Sequence, residues 1–167
     1  MSSQDHKAAA PPRARVFVLT VSDTRTNATD TSGAAIIELL KAAGHHVTGT
    51  TIEKDEPVRV AELVRQQAVI GDVDAIITNG GTGLTSRDST FEAIDALLTK
   101  RLPGFGELFR MLSYHDIGSA AMMSRACAGT IGRVVVISLP GSEKAVRLAM
   151  HKLVIPELAH LVQQATK

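Results

Sequence analysis

Three short, almost wholly apolar runs constrain this chain more than any other feature: Val16 to Val21, Ala75 to Thr78 and Val134 to Leu139. Each is short, rich in Val and Ile, and lacks polar alternation, the signature of a strand covered on both faces. Helical patterns separate them. Asp30 or Thr31 caps a segment whose Ile36, Ile37, Leu39 and Leu40 form one apolar face, and Gly44 ends it. A less buried strand, Val47 to Ile52, follows. Pro57 then opens a second helix through Val60, Leu63 and Val64 to Gly71. Further helices are expected through Ile94, Leu97 and Leu98, over Gly104 to Ser113, and after the turn Pro140-Gly141-Ser142. The alternation predicts an α/β fold, a three-layer αβα sandwich with a largely parallel central sheet.

Ligands of such sheets sit beyond the carboxyl ends of the strands. Three loops fall there: Ser22-Asp23, the stretch from Gly80 to Asp88, and Pro140-Gly141-Ser142. In the middle loop, Gly80, Gly81 and Gly83 free the backbone to turn its N–H groups toward one point. A helix start follows, with Ser89 and Glu92 spaced as a capping box, and its dipole adds positive potential. The place suits a phosphate. Asp88 beside it would repel that phosphate unless a divalent cation lay between them, which points to Mg²⁺ and a nucleotide. The loop is not a standard fingerprint: Ser86 stands where G-x-G-x-x-G needs glycine, and no Gly-Lys-Ser/Thr follows. The plain alternative is a tightened turn with Asp88 as a cap.

A length of 167 residues suits one domain, over residues 15–167, preceded by a disordered Ala- and Pro-rich tail over residues 1–14. Hydrophobic residues make up 44% and aromatics only 3%, so the core must be aliphatic. A net charge of +1 with no basic face argues against nucleic acid as a partner. No stretch reaches membrane-spanning length, and residues 1–15 lack the apolar core of a secretion signal. The single Cys127, among Ala126, Ala128 and Gly129, reads as a buried small hydrophobe and fits a cytoplasmic location.

Taken in order, several segments resemble the molybdenum cofactor biosynthesis proteins of the B and Mog type, the molybdopterin-binding fold, from about Arg15 to about Leu161. They are Leu19-Thr20-Val21-Ser22-Asp23, Asp30-Thr31-Ser32-Gly33, Asn79-Gly80-Gly81-Thr82-Gly83, Arg87-Asp88-Ser89-Thr90, Pro103-Gly104-Phe105-Gly106-Glu107 and Leu139-Pro140-Gly141-Ser142. The stretch Phe105 to Ser113, with Ile117-Gly118, looks closer to the B-type branch. The resemblance implies an adenylyltransferase that joins molybdopterin to AMP from MgATP and releases pyrophosphate, or alternatively a non-catalytic molybdopterin carrier. It places the catalytic, Mg²⁺-holding carboxylates on Asp55 and Asp88. Substrate and nucleotide contacts fall on Ser22, Asp23, Gly80, Gly81, Thr82, Gly83, Glu107, Ser113, Pro140, Gly141 and Ser142. It also implies a homotrimer or a hexamer of two trimers, and a downstream molybdate-insertion enzyme as partner. Asn79 departs from the Thr or Gly of many relatives, and little consequence is expected.

The remaining polar residues have simpler explanations. Ser22 and Asp23 could merely form an Asx-turn, and Arg87 could be a solvated charge, a partner of Asp88 or a phosphate ligand. His45 and His46 would point to opposite sides of a strand start, a poor geometry for one metal, so they are read as structural. So are His115, His151 and His160, which share no ligand spacing. Phe105, Phe109, Met111 and Leu112 crowd apolar bulk into one helix, either for the core or for a face between subunits.

Overall fold

The computed structural model describes residues 13–70 and 72–167. Residues 1–12 of the expected tail, and Gly71 at the expected end of a helix, lie outside the described residues. The elements in chain order are β1 (Arg15–Val21), α1 (Thr31–Ala42), β2 (His46–Glu53), α2 (Pro57–Ile70), β3 (Ala75–Asn79), α3 (Thr90–Asp95), β4 (Lys100–Arg101) and α4 (Pro103–Ile117). After a 3₁₀ turn come β5 (Cys127–Ile131), β6 (Val134–Leu139), α5 (Glu143–Ala149) and α6 (Ile155–Thr166), the last two joined by a π-helical turn. That turn lies just before Pro156, whose ring nitrogen cannot donate to the helical ladder.

The six strands are ordered β2-β1-β3-β6-β5-β4. The first four are parallel, and β5 and β4 run antiparallel to them. This is the largely parallel α/β sandwich that the sequence predicts. Successive side chains of each strand leave on opposite faces. Val16 and Val18 of β1 accordingly join Ile36 and Leu40 of α1, Phe109 of α4 and Val146 of α5 in one core layer. Phe17, Leu19 and Val21 join Val60 and Val64 of α2 and Ile94 beyond β3 in the other. β1, β3 and β6 are almost wholly buried, whereas β2, at the edge, alternates.

Asp30 is the N-cap of α1, its carboxylate accepting from the Gly33 N–H at 2.9 Å. The expected capping box at α3 does not form. Ser89 sits at the N-cap but turns its hydroxyl to Asp55, and Glu92 pairs with Arg125 instead of reaching back. The α3 helix also stops at Asp95, short of Leu97 and Leu98, while α4 runs on to Ile117. Strands β4 and β5 carry no apolar run. Cys127-Ala128-Gly129 is small because β4 crosses closely, so a methyl on Gly129 would meet the carbonyl of Lys100. In α4, Phe105 and Phe109 are buried and stacked 6.4 Å apart, while Met111 is half exposed.

Candidate functional site

The carboxyl ends of β1, β3 and β6 open into one cavity of about 600 Å³. Ser22, Asp23, Asp55, Gly80, Gly81, Thr82, Gly83, Asp88, Pro140, Gly141 and Ser142 all line it. Two expected residues lie elsewhere. Glu107 borders a separate hollow of about 220 Å³ with Arg101 and Arg110. Ser113 is buried beside a small cleft that shares Ser124 and Ser142 with the lining of the main cavity.

The glycine loop is held by hard contacts. Gly80 has φ 95° and donates to the Leu139 carbonyl at 3.0 Å, and a methyl there would strike the Val21 carbonyl. Gly81, at φ 67°, passes so close to Thr90 and Asp55 that a side chain has no room; a methyl would lie 2.6 Å from the Asp55 Oδ2. Glycine is required at both positions. Beyond Gly80, the amides of Gly81, Thr82 and Gly83 have no acceptor among the described residues.

Asp55 follows β2 and is buried to 5% exposure. Its Oδ1 accepts from the Ser89 hydroxyl at 2.8 Å, the Thr90 hydroxyl at 3.2 Å and the Ser89 N–H at 3.3 Å. It therefore caps α3 from a distant loop, replacing the local cap that Ser89 does not provide. Asp88 accepts from the Thr85 N–H at 3.0 Å and hydroxyl at 2.6 Å through Oδ2; its Oδ1 has no partner among the described residues. Each acid thus uses one oxygen chiefly to shape the loop.

Arg87 does not pair with Asp88. Its guanidinium grips Asp23 at 2.7 and 2.9 Å and Glu56 at 2.9 Å, tying the loops after β1, β2 and β3 together. The hydrogen bonds from Arg87 hold the Asp23 carboxyl down to about 2, so it stays ionised. Ser22 makes the simpler turn: its hydroxyl accepts from the Thr24 and Arg25 N–H groups at 3.2 and 3.1 Å.

Two arginines bearing on the site were not read from the sequence. Arg25 lines the cavity, donates to the Gly141 carbonyl at 2.7 Å and contacts Ser32. Ser32 in turn donates to Asn79 Oδ1 at 2.7 Å, and Asn79 Nδ2 donates to the Thr20 hydroxyl at 3.0 Å. Asn79, buried at the end of β3, thereby joins α1, β1 and β3 just before the glycine loop. Arg125, from the loop before β5, holds the glycine loop through the carbonyls of Thr82, at 2.9 Å, and Gly83. Proximity to Ser22-Asp23 could have flagged Arg25. No local signal marks Arg125.

The comparisons with known proteins agree with this architecture. Residues 17–160 match the family described as a probable molybdopterin binding domain. Molybdenum cofactor biosynthesis protein B of Bacillus cereus is 56% identical over 162 residues, 96% of each chain. A crystal structure of a molybdenum cofactor biosynthesis protein B superposes with a TM-score of 0.91 at 55% identity, over 94% of this chain and 98% of that one. The tungsten cofactor synthesizing protein MoaB from Pyrococcus furiosus gives 0.84 at 38% identity, over 95% and 100%. The chain belongs to the molybdopterin-binding family of cofactor biosynthesis proteins, on its B-type branch.

Proposed function

We propose that the protein acts in molybdenum cofactor biosynthesis as a molybdopterin adenylyltransferase, converting molybdopterin and MgATP to adenylyl-molybdopterin and pyrophosphate. The observation that carries the proposal is the cavity in which the amides of Gly81 to Gly83, without an acceptor among the described residues, meet the turn Pro140-Gly141-Ser142 and the carboxylates of Asp55 and Asp88. The reaction brings two anions together. An oxygen of the molybdopterin phosphate attacks the α-phosphorus of ATP, the bond to the bridging oxygen breaks, and pyrophosphate leaves with the electron pair. The attacking phosphate is already ionised near neutral pH, so positioning and charge stabilisation carry the rate.

The loop amides bind phosphate oxygens, and Arg25 fixes Gly141 and with it the approach to Ser142. Oδ2 of Asp55, whose partner among the described residues is the Ser89 N–H at 3.4 Å, and Oδ1 of Asp88 would hold Mg²⁺, a hard donor set suited to an ion that keeps phosphate and water ligands as well. When bound, Mg²⁺ neutralises charge on the phosphoryl oxygens and the leaving pyrophosphate.

One observation favours a carrier instead. Asp55 is accounted for as the cap of α3 without any catalytic duty. A pyrophosphate-release assay with molybdopterin and ATP, with and without Mg²⁺, separates the two. Mg²⁺-dependent release supports the enzyme, whereas tight molybdopterin binding without release supports the carrier.

A further inference from the structure

We infer that Arg125 is a positioning residue that aims the backbone N–H groups of the glycine loop at a bound phosphate; this rests on the site proposed above. Among the described residues every peptide bond is trans, so each carbonyl points opposite to the N–H of the following residue. The Gly81 carbonyl accepts from the Thr90 N–H at 3.0 Å. The Thr82 carbonyl accepts from Arg125 Nε at 2.9 Å, and the Gly83 carbonyl from the same guanidinium. The carbonyls of Thr82 and Gly83 are therefore held by one guanidinium and that of Gly81 by the start of α3, and the N–H groups of Thr82, Gly83 and Leu84 point away from these donors. None of those three has an acceptor among the described residues. Gly80 to Gly83 line the cavity and Arg125 does not.

Arg125 is itself fixed. It pairs with Glu92 and lies over the Phe91 ring, 4.9 Å from the centroid, with its side chain 22% exposed. A planar fork suits this task, because two carbonyls and a carboxylate must be met at once; a lysine ammonium carries the charge without that geometry. A cation on the carbonyl ends also polarises the peptides, making their N–H groups better donors.

The test is a titration of the ¹⁵N-labelled full chain with inorganic pyrophosphate, following the backbone signals of Thr82, Gly83 and Leu84 in wild type, Arg125→Gln and Arg125→Lys. In wild type the three signals move together on binding. In both variants the affinity falls roughly tenfold, the effect of losing one or two positioning hydrogen bonds, and the three signals no longer move as a group. Wild-type affinity in Arg125→Gln overturns the inference. So does full recovery in Arg125→Lys, which would leave only a charge effect, and so does a wild type whose three signals stay still at saturation. Should Arg125→Gln fail to fold, Arg125→Lys decides by the same criterion. Adenylate formation is measured separately. Wild type that binds pyrophosphate at these amides yet makes no adenylate sinks the enzyme proposal and leaves the role of Arg125 intact; turnover with an indifferent Arg125 does the reverse.

Discussion

Replacing Asp55 by Ala tests whether that carboxylate builds the site or only reacts in it. The substitution removes the acceptor for two hydroxyls and one N–H at the start of α3, in a residue only 5% exposed. The hydroxyls can turn to other partners, but the Ser89 N–H cannot, and the acceptor lost is a charged one. A cost of about 2–4 kcal/mol is expected, from one to two hydrogen bonds to a charged group plus an unpaired donor. For a chain of this size that lowers the melting temperature by roughly 5–15 °C. Scanning calorimetry of Asp55→Ala, Asp55→Asn and Asp88→Ala reads the effect. Asp55→Asn, which keeps one carbonyl oxygen, falls between wild type and Asp55→Ala. Asp88→Ala loses only the contacts to Thr85 and costs about 1 kcal/mol. An Asp55→Ala protein that melts with wild type would refute the capping role, and any loss of turnover in it would then be purely chemical. Ser89→Ala supplies the converse: it weakens the cap while keeping the carboxylate, and turnover should survive.

Other outcomes follow from single contacts. Gly80→Ala should lose about 2–4 kcal/mol in urea denaturation, since φ is 95° and the new methyl meets the Val21 carbonyl. His45 is buried and its Nδ1 accepts from the Ala14 N–H at 3.1 Å, and burial lowers its pKa, so the fold prefers the neutral ring. Its folded pKa thus lies below the unfolded value of about 6.5, and this contribution to stability is present above that pH and lost as pH falls below it. The urea midpoint of wild type should therefore drop between about pH 7.5 and pH 5.5 more than that of His45→Asn; equal drops would contradict this. Burial pushes the Cys127 thiol up to about 12, so the native protein should resist alkylation at neutral pH and react on unfolding. Asp88→Ala should abolish pyrophosphate release while the protein stays folded, and an unchanged rate would count against the proposed chemistry.

The strands β1, β3 and β6 were legible because burial on both faces leaves no room for polar alternation, and the glycine loop because only glycine takes the backbone angles it needs. The loops after β1, β3 and β6 that meet in the cavity followed from topology, whereas the Asp55 loop came only from the resemblance. Strands β4 and β5 were not legible: close crossing demands small residues, and small residues carry little strand preference. The capping box at Ser89 and Glu92 failed because distant partners outbid the local one. Ser89 finds Asp55 across 34 positions and Glu92 finds Arg125 across 33. Arg125 could not be read for the same reason, since its meaning depends on carbonyls more than forty residues away. The resemblance alone assigns Glu107 and Ser113 to ligand contact, and in the fold the first borders a separate hollow while the second is buried beside a small cleft.

Adenylylation is defined by which phosphorus is attacked, and labelled ATP reports this directly. With molybdopterin and Mg²⁺ present, label at the α-phosphorus should appear in the pterin product and label at the γ-phosphorus in free pyrophosphate. Label from the γ-position on the pterin, or no transfer by a protein that holds both ligands, would contradict it.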